Sequence, residues 1–327
     1  MRIRFWGVRG SIPTPLTPHE IQNRVMAIVQ RISPADLKNE ASREKFVASL
    51  PDWLFTTVGG NTACVEVETA DGERIIFDAG SGIRVLGLDL FTRADYKTNR
   101  NYHLAISHFH HDHLQGLPFF GPAYDPLNHV TVYSTRKNCR EFFEGQMAQP
   151  YFPVQMFSER GLRAAFDFKI IARDEKHIPI GDAVLSWNLV RHPGGAVAYS
   201  ITEAADDSRT SFKKFIYSTD TELRQKDLEK NSNNQEIYSN ADLLVIDSQY
   251  TLQDSIEKEG WGHSTYSMAV DFAINWNIKK VLLFHHEPTY NDKSIFGIKR
   301  SAETYRDYHG STIPEIDIAQ EGMDILL

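Results

Sequence analysis

The stretch from Tyr102 to Pro118 constrains this chain more than any other. It opens on an apolar run, Leu104 to Ile106, that reads as a short buried strand. It then delivers His108, His110, Asp112 and His113 within six positions. Imidazole nitrogens and a carboxylate oxygen are ligands that suit zinc, manganese or iron. A loop leaving a strand turns such closely spaced side chains toward more than one point. His108 and His110 flank one residue and can share a metal, while the adjacent Asp112 and His113 can face a second. A lone histidine in a loop carries little weight, but three with an aspartate in so short a span carry a metal hypothesis. Gln115 to Pro118 reads as a short helix start that soon ends.

The 327 residues suffice for one large α/β domain or two small ones. A hydrophobic content of 41% with 11% aromatics builds a sizeable core. A net charge of −8 argues against a broad nucleic-acid surface, though a local basic groove remains compatible with it. The two cysteines, Cys64 in a strand-like run and Cys139 in a helix-like one, read as buried small hydrophobes. That usage fits a reducing cytoplasm. The N-terminal Met-Arg-Ile-Arg-Phe-Trp starts as a strand without a signal-peptide core. No apolar run approaches the roughly 20 residues that span a membrane.

Taken in order, residues 2–15 alternate as a strand and break at Gly7 to Pro13, which reads either as a plain strand-end turn or as a loop that brings backbone amides near an anion. Residues 16–53 differ in character: Ile21, Val25, Ile28 and Ile32 recur at helical spacing, and Ser33-Pro34 predicts a second helix running to about Ser49. They read as a helical insertion, a lid or an oligomer contact. Strands are expected at 59–69 and 74–77, around an Asp71-Gly72 turn, and then at 130–133. A helix is expected at 135–147, and residues 148–180 read as irregular and rich in aromatics. Strands follow at 183–190, 196–202, 213–217, 243–246 and 281–284. A helix follows Gly262-His263-Ser264-Thr265, with Ser264 or Thr265 as its cap, and another covers 290–309. Strands close the chain at 315–319 and 323–326. Six separate strand ends thus carry Asp78, the His108 cluster, His192, Asp220, Asp247 and His285. Loops at one edge of packed sheets are where a scaffold gathers catalytic groups.

His108-x-His110-x-Asp112-His113 after an apolar strand resembles the signature of the metallo-β-lactamase-fold hydrolases. The resemblance covers nearly the whole chain outside residues 16–53. It implies a single α/β domain, a four-layer αβ/βα sandwich of mixed sheets with helices outside. It implies two divalent metal ions, zinc above all, with manganese or iron as alternatives. One is held by His108, His110 and His192 and the other by Asp112, His113 and His285, with Asp220 bridging. Asp78 would orient the histidine loop from behind. Gly262-His263-Ser264-Thr265, with an acidic strand end upstream, looks like the phosphodiesterase branch that contains tRNase Z, although those enzymes usually carry Glu where this chain has Asp247. The opening Trp6-to-Pro13 motif, Gly59-Gly60-Asn61-Thr62 and His285-His286-Glu287-Pro288 are similar to relatives with small substrates, among them bacterial cyclic-nucleotide phosphodiesterases. Asp112, His263 and Asp247 are then the catalytic groups, and Ser11 and Asn61 are candidate substrate contacts. Two cations about 3.5–4 Å apart clamp a phosphodiester and activate water, and His263 poised by Asp247 protonates the leaving alkoxide. A small phosphodiester, most simply a cyclic nucleotide, is the expected substrate. A tRNA 3′-processing endonuclease is the alternative, and its long basic arm is not found in this sequence. A non-phosphodiester metallo-hydrolase of the same fold is a further alternative. Relatives are often homodimers.

Overall fold

The computed structural model describes residues 1–205 and 211–327. Fourteen strands are found among them: β1 (Arg2–Gly7), β2 (Cys64–Glu68), β3 (Arg74–Phe77), β4 (Asn101–Ala105), β5 (His129–Ser134), β6 (Ala165–Ile170), β7 (His177–Ile180), β8 (Ala183–Val190), β9 (Ala196–Ala204), β10 (Phe212–Ser218), β11 (Leu243–Asp247), β12 (Lys280–Phe284), β13 (Glu315–Ile318) and β14 (Asp324–Leu326). They form two seven-stranded sheets, ordered β14-β1-β2-β3-β4-β5-β6 and β13-β12-β11-β10-β9-β8-β7. Each sheet is mixed: β3 to β6 pair in parallel, as do β10 to β13, and the remaining pairs are antiparallel.

The alternation of side chains along a strand explains the layering. In β3, Ile75 and Phe77 join the core shared with the second sheet, while Ile76 between them joins a separate core. Phe77 meets Tyr199, Phe215 and Tyr217 of the second sheet at ring-centroid distances of 5.1–5.8 Å. The outer core of the first sheet is closed by Ile83, Leu86 and Leu90 of α4 (Gly82–Leu90) and Phe143 of α5 (Cys139–Gln146), helices that follow α1 (Pro18–Val29), α2 (Glu40–Ala48) and α3 (Asp52–Phe55) in the chain. The second sheet is covered by residues of α6 (Ser232–Tyr238), α8 (Tyr266–Asn275) and α9 (Asp292–Tyr308), with α7 (Leu252–Glu257) in the connection after β11. The result is the α/β sandwich expected from the sequence. Cys64 and Cys139 are buried free thiols. No helix among the described residues is long and apolar enough to cross a membrane.

Two local expectations are corrected. Residues 148–180 contain β6 and β7 rather than irregular chain alone; in β6 the aromatic positions Phe166 and Phe168 alternate with Asp167 and Lys169, a strand signal hidden by the aromatics around it. The second inserted helix starts at Glu40, not at Pro34. The backbone amide and hydroxyl of Ser33 both bond Asp36, at 2.9 and 2.6 Å, which closes a turn; the cap passes to Asn39, which accepts from the Ser42 amide at 2.9 Å. Neither α1 nor α2 contains a buried residue. α1 is tied down by Arg24, which donates to the Thr56 carbonyl at 2.6 Å and pairs with Asp292 of α9.

One connection brings the sheets together at the functional edge. After β1, the Val8 and Arg9 amides donate to the Asn61 carbonyl at 2.9 Å, while Gly10 donates to His286 O and His286 donates to Val8 O, both at 3.0 Å. This short segment is stitched to the first sheet on one side and to the end of β12 on the other.

Candidate active site

All the strand-end residues converge. The parallel strands deliver their C-terminal ends to one edge, where Asp78 follows β3, His108 to His113 follow β4, Asp220 follows β10, Asp247 ends β11 and His285 follows β12. His192 follows β8, which runs in the same direction as β10 because β9 is antiparallel to both. Asp78, Asp220 and His285 take left-handed backbone, with φ of 60°, 50° and 61°. Such φ values are uncommon outside glycine, and Asp and His are among the residues that tolerate them.

Two groups of donors form. His108 Nε2 and His192 Nε2 each lie 3.6 Å from Asp220 Oδ1, and His192 Nε2 lies 3.1 Å from His110 Nδ1. On the other side, His113 Nε2 and His285 Nε2 lie 3.1 and 3.2 Å from Asp220 Oδ2. The same two nitrogens lie 3.3 and 3.2 Å from Asp112 Oδ2. One oxygen of Asp220 therefore faces each group. Bonds of about 2.0–2.1 Å to a tetrahedral cation put neighbouring ligand atoms about 3.4 Å apart, which is the spacing found within both groups.

Hydrogen bonds behind the rings set which nitrogen is bare. His113 Nδ1 donates to Asp78 at 2.7 Å, His192 Nδ1 to the Gly262 carbonyl at 3.0 Å, and His285 Nδ1 to Gln249 Oε1 at 3.0 Å. Ser107 Oγ donates to Asp78 at 2.7 Å and so accepts from His108 Nδ1 at 3.1 Å. Each ring then presents an Nε2 lone pair to the centre. That of His108 is buried with no hydrogen-bond partner, a cost that a cation removes. The donor set fits a divalent metal.

The electrostatics agree. Burial pushes His108 well below the ordinary imidazole range and also lowers His110 and His192, keeping them neutral donors. Burial opposes a charge on His113 as well, but Asp220, Asp112 and Asp78 outweigh it and hold that ring well above its ordinary value. Asp220 and Asp112 are held well below the usual carboxylate range: burial would raise them, but the surrounding histidines prevail. The pocket attracts positive charge and takes a proton when no cation offers it. Metal binding therefore releases protons, and apparent affinity rises with pH.

Asp78 is fully buried and accepts four bonds: from the Ser107 amide, the Ser107 hydroxyl and His113 Nδ1, each at 2.7 Å, and from the Tyr217 hydroxyl at 2.9 Å. Asp78→Ala leaves all four donors without their acceptor. It is expected to lower stability by about 3–5 kcal/mol and metal affinity by about 10–100-fold. Denaturant titration and chelator competition measure the two; unchanged values in both would remove Asp78 from this role.

His263 adjoins the donor groups: with Asp247, Asp220 and His285 it forms a further cluster whose donor atoms lie within 4.8 Å of one another. Its Nδ1 is taken by Asp247 Oδ2, at 2.6 Å, and Asp247 Oδ1 accepts from the Ser264 amide at 3.0 Å. Its ring stacks on His285 at 5.0 Å. Burial opposes protonation here too, but Asp247, with Asp220 and Asp112, pushes the His263 pKa up to about 9. The residue before it, Gly262, has φ +94°, and a Cβ there would strike the His192 ring. Thr265, not Ser264, caps α8, accepting from the Met268 amide at 3.2 Å.

The two candidate substrate contacts both have partners within the protein. The Asn61 amide donates to Glu321 at 3.0 Å, and its oxygen accepts from the Ser81 hydroxyl at 3.0 Å. Ser11 acts through its backbone amide, which donates to Asp112 Oδ2 at 2.8 Å, and so positions that carboxylate. Sequence reasoning missed Gln249, which fixes His285 and in turn donates to Glu287 at 2.7 Å. Its signal was its place, two residues past the acidic end of β11.

A two-sheet sandwich with imidazole and carboxylate donors gathered at one edge defines a metal-dependent hydrolase. Residues 73–286 match the family described as the β-lactamase superfamily domain, and the chain belongs to that superfamily. A ribonuclease Z from Picrophilus torridus is 26% identical over 256 residues, 67% of this chain and 78% of that protein. Among solved structures, the metallo-β-lactamase fold protein YhfI from Bacillus subtilis gives a TM-score of 0.63 at 14% identity, covering 99% of this chain and 98% of that one. A diphosphatase from the PhnP family gives 0.58 at 15% identity, covering 100% and 97%. These two likenesses establish the fold.

Proposed function

We propose that the protein is a dinuclear metal-dependent phosphodiesterase acting on a small phosphodiester, a cyclic nucleotide in the simplest case. The observation that carries this reading is the relation of His263 to Asp220: a protonatable ring, braced by Asp247, beside two donor groups that share one carboxylate. Zinc is the metal the N/O donor set favours, with manganese or iron as alternatives. His108, His110 and His192 would hold one cation and Asp112, His113 and His285 the other, with one oxygen of Asp220 facing each group. The chemistry such cations would supply is neutralisation of the phosphate and acidification of water. Asp112 is held by Ser11 and His113 by Asp78, so neither ligand swings when charge moves. His263 Nε2 carries the proton that the departing alkoxide needs, and Asp247 keeps it there.

A second reading is tRNA 3′ processing, supported by the identity to ribonuclease Z. The net charge of −8 gives such a substrate little help through counterion release. Turnover of cyclic nucleotides, bis(p-nitrophenyl) phosphate and precursor tRNA, each with defined zinc, manganese or iron, separates the readings. Hydrolysis of a cyclic nucleotide with close to two metal equivalents per chain is expected. Cleavage of precursor tRNA with no turnover of cyclic nucleotides would transfer the assignment to the second reading.

A further inference from the structure

Beside the metal-binding edge, where β5 and β6 end and β8 turns into β9, lies a groove of about 550 Å³. Its apolar floor includes Ile171, Trp187 and Val197, all buried. Its rim carries Arg136, Lys137 and Arg173, all exposed. Among the described residues none of these three cations has a carboxylate partner within ion-pair distance. In a chain of net charge −8, three unpaired cations around one cleft mark a site for an anion. The indole of Trp187 is held in place: its N–H donates to the Glu175 carbonyl at 2.7 Å, and Lys176 Nζ lies 3.9 Å from the ring centroid.

Gly195 lines the groove and Gly194 precedes it in the chain, with φ of +83° and +81°. A Cβ on Gly195 would come within 3.1 Å of the Arg136 guanidinium, and one on Gly194 within 4.0 Å of His110 Nε2. The two glycines thus span the distance between a guanidinium and a ring of the donor cluster, and they put no side chain between them.

We infer that this groove is a second substrate subsite, which holds a nucleotide unit beyond the scissile phosphate: its ring lies on the apolar floor and its own phosphate meets Arg136, Lys137 and Arg173. Guanidinium groups pair with phosphate through forked, charge-assisted bonds, and the apolar lining, to which exposed Leu189 contributes, favours the flat apolar face of a base over water. The preferred substrate is then a diester that carries a second phosphate. This inference rests on the phosphodiesterase reading of the metal centre.

The test has two arms. In the first, adenosine 3′,5′-bisphosphate is titrated into the full-length metal-free protein by calorimetry. Binding that weakens at least about 10-fold in Arg136→Ala and further in Arg136→Glu/Arg173→Glu is expected, with the circular dichroism spectrum unchanged. Equal binding by wild type and the charge-reversed variant, or no binding by either, overturns the subsite. In the second, the metal-loaded enzyme is given a dinucleotide with a 5′-phosphate, the same dinucleotide without it, and bis(p-nitrophenyl) phosphate. Arg136→Ala is expected to raise KM for the phosphorylated dinucleotide alone, leaving kcat and the turnover of bis(p-nitrophenyl) phosphate unchanged. Equal losses on all three substrates would make Arg136 structural and sink the inference. Failure of wild type to hydrolyse any diester, while the calorimetric arm still reads Arg136, would count against the phosphodiesterase reading and not the subsite.

Discussion

Asp220→Asn is expected to abolish nearly all diesterase activity and to leave about one metal equivalent per chain. The carboxylate offers one oxygen to each donor group, at 3.6 Å from His108 and His192 and at 3.1–3.2 Å from His113 and His285. An amide of the same shape keeps one oxygen and turns an NH₂ toward the other group, which repels a cation. The loss of turnover should exceed the roughly 10–100-fold cost typical of groups that only support a ligand. Elemental analysis after reconstitution, with steady-state kinetics on the same sample, tests both parts. Two retained equivalents with normal turnover would show that Asp220 is not shared.

Removal of His263 should separate substrates by their leaving groups. Loss of a general acid costs about 10²–10⁴ in rate. His263→Ala is therefore expected to slow cyclic-nucleotide hydrolysis by that factor, while bis(p-nitrophenyl) phosphate, whose leaving group needs no proton, is barely affected and metal content is unchanged. The pH profile follows the same logic. The acid is active while protonated, so kcat for a cyclic nucleotide falls as pH rises through the His263 pKa, which stands at about 9 with Asp247, Asp220 and Asp112 as neighbours. Cations that neutralise Asp220 and Asp112 move this limb to lower pH, and Asp247 remains to hold it up. Equal loss on both substrates, or loss of a metal, would remove His263 from the role of acid.

Much of this site was legible because strand ends are punctuated in sequence. A buried apolar run stopping at Asp78, His108, Asp220, Asp247 or His285 fixes both the fold and the edge, since parallel strands in one sheet end together. What was not legible depended on partners distant in sequence. Asn61 is a candidate substrate contact by resemblance, and nothing near it in the chain announces that its side chain bonds Glu321, 260 positions away. Ser11 contributes an amide, which carries no side-chain signature. Gln249 acquires meaning only when His285 is brought against it. The start of α2 was displaced because Asp36 closes a turn that competes with the Ser33-Pro34 signal.

The left-handed backbone at Asp78, Asp220 and His285 has a consequence for how the molecule trades fold against chemistry. With Ser11, whose φ is also 60°, four non-glycine residues in a sparsely populated region, two of them carboxylates bonded to imidazoles, make this edge a local conflict within an otherwise mutually supportive fold. Such a conflict persists only where the surroundings over-determine it. Here the scaffold supplies that excess through the four bonds on Asp78 and through the segment stitched between the sheets. Selection for robustness alone would relax these positions, and selection for turnover would keep them. The edge is therefore where a drifting copy of this chain would trade activity for a more stable fold first.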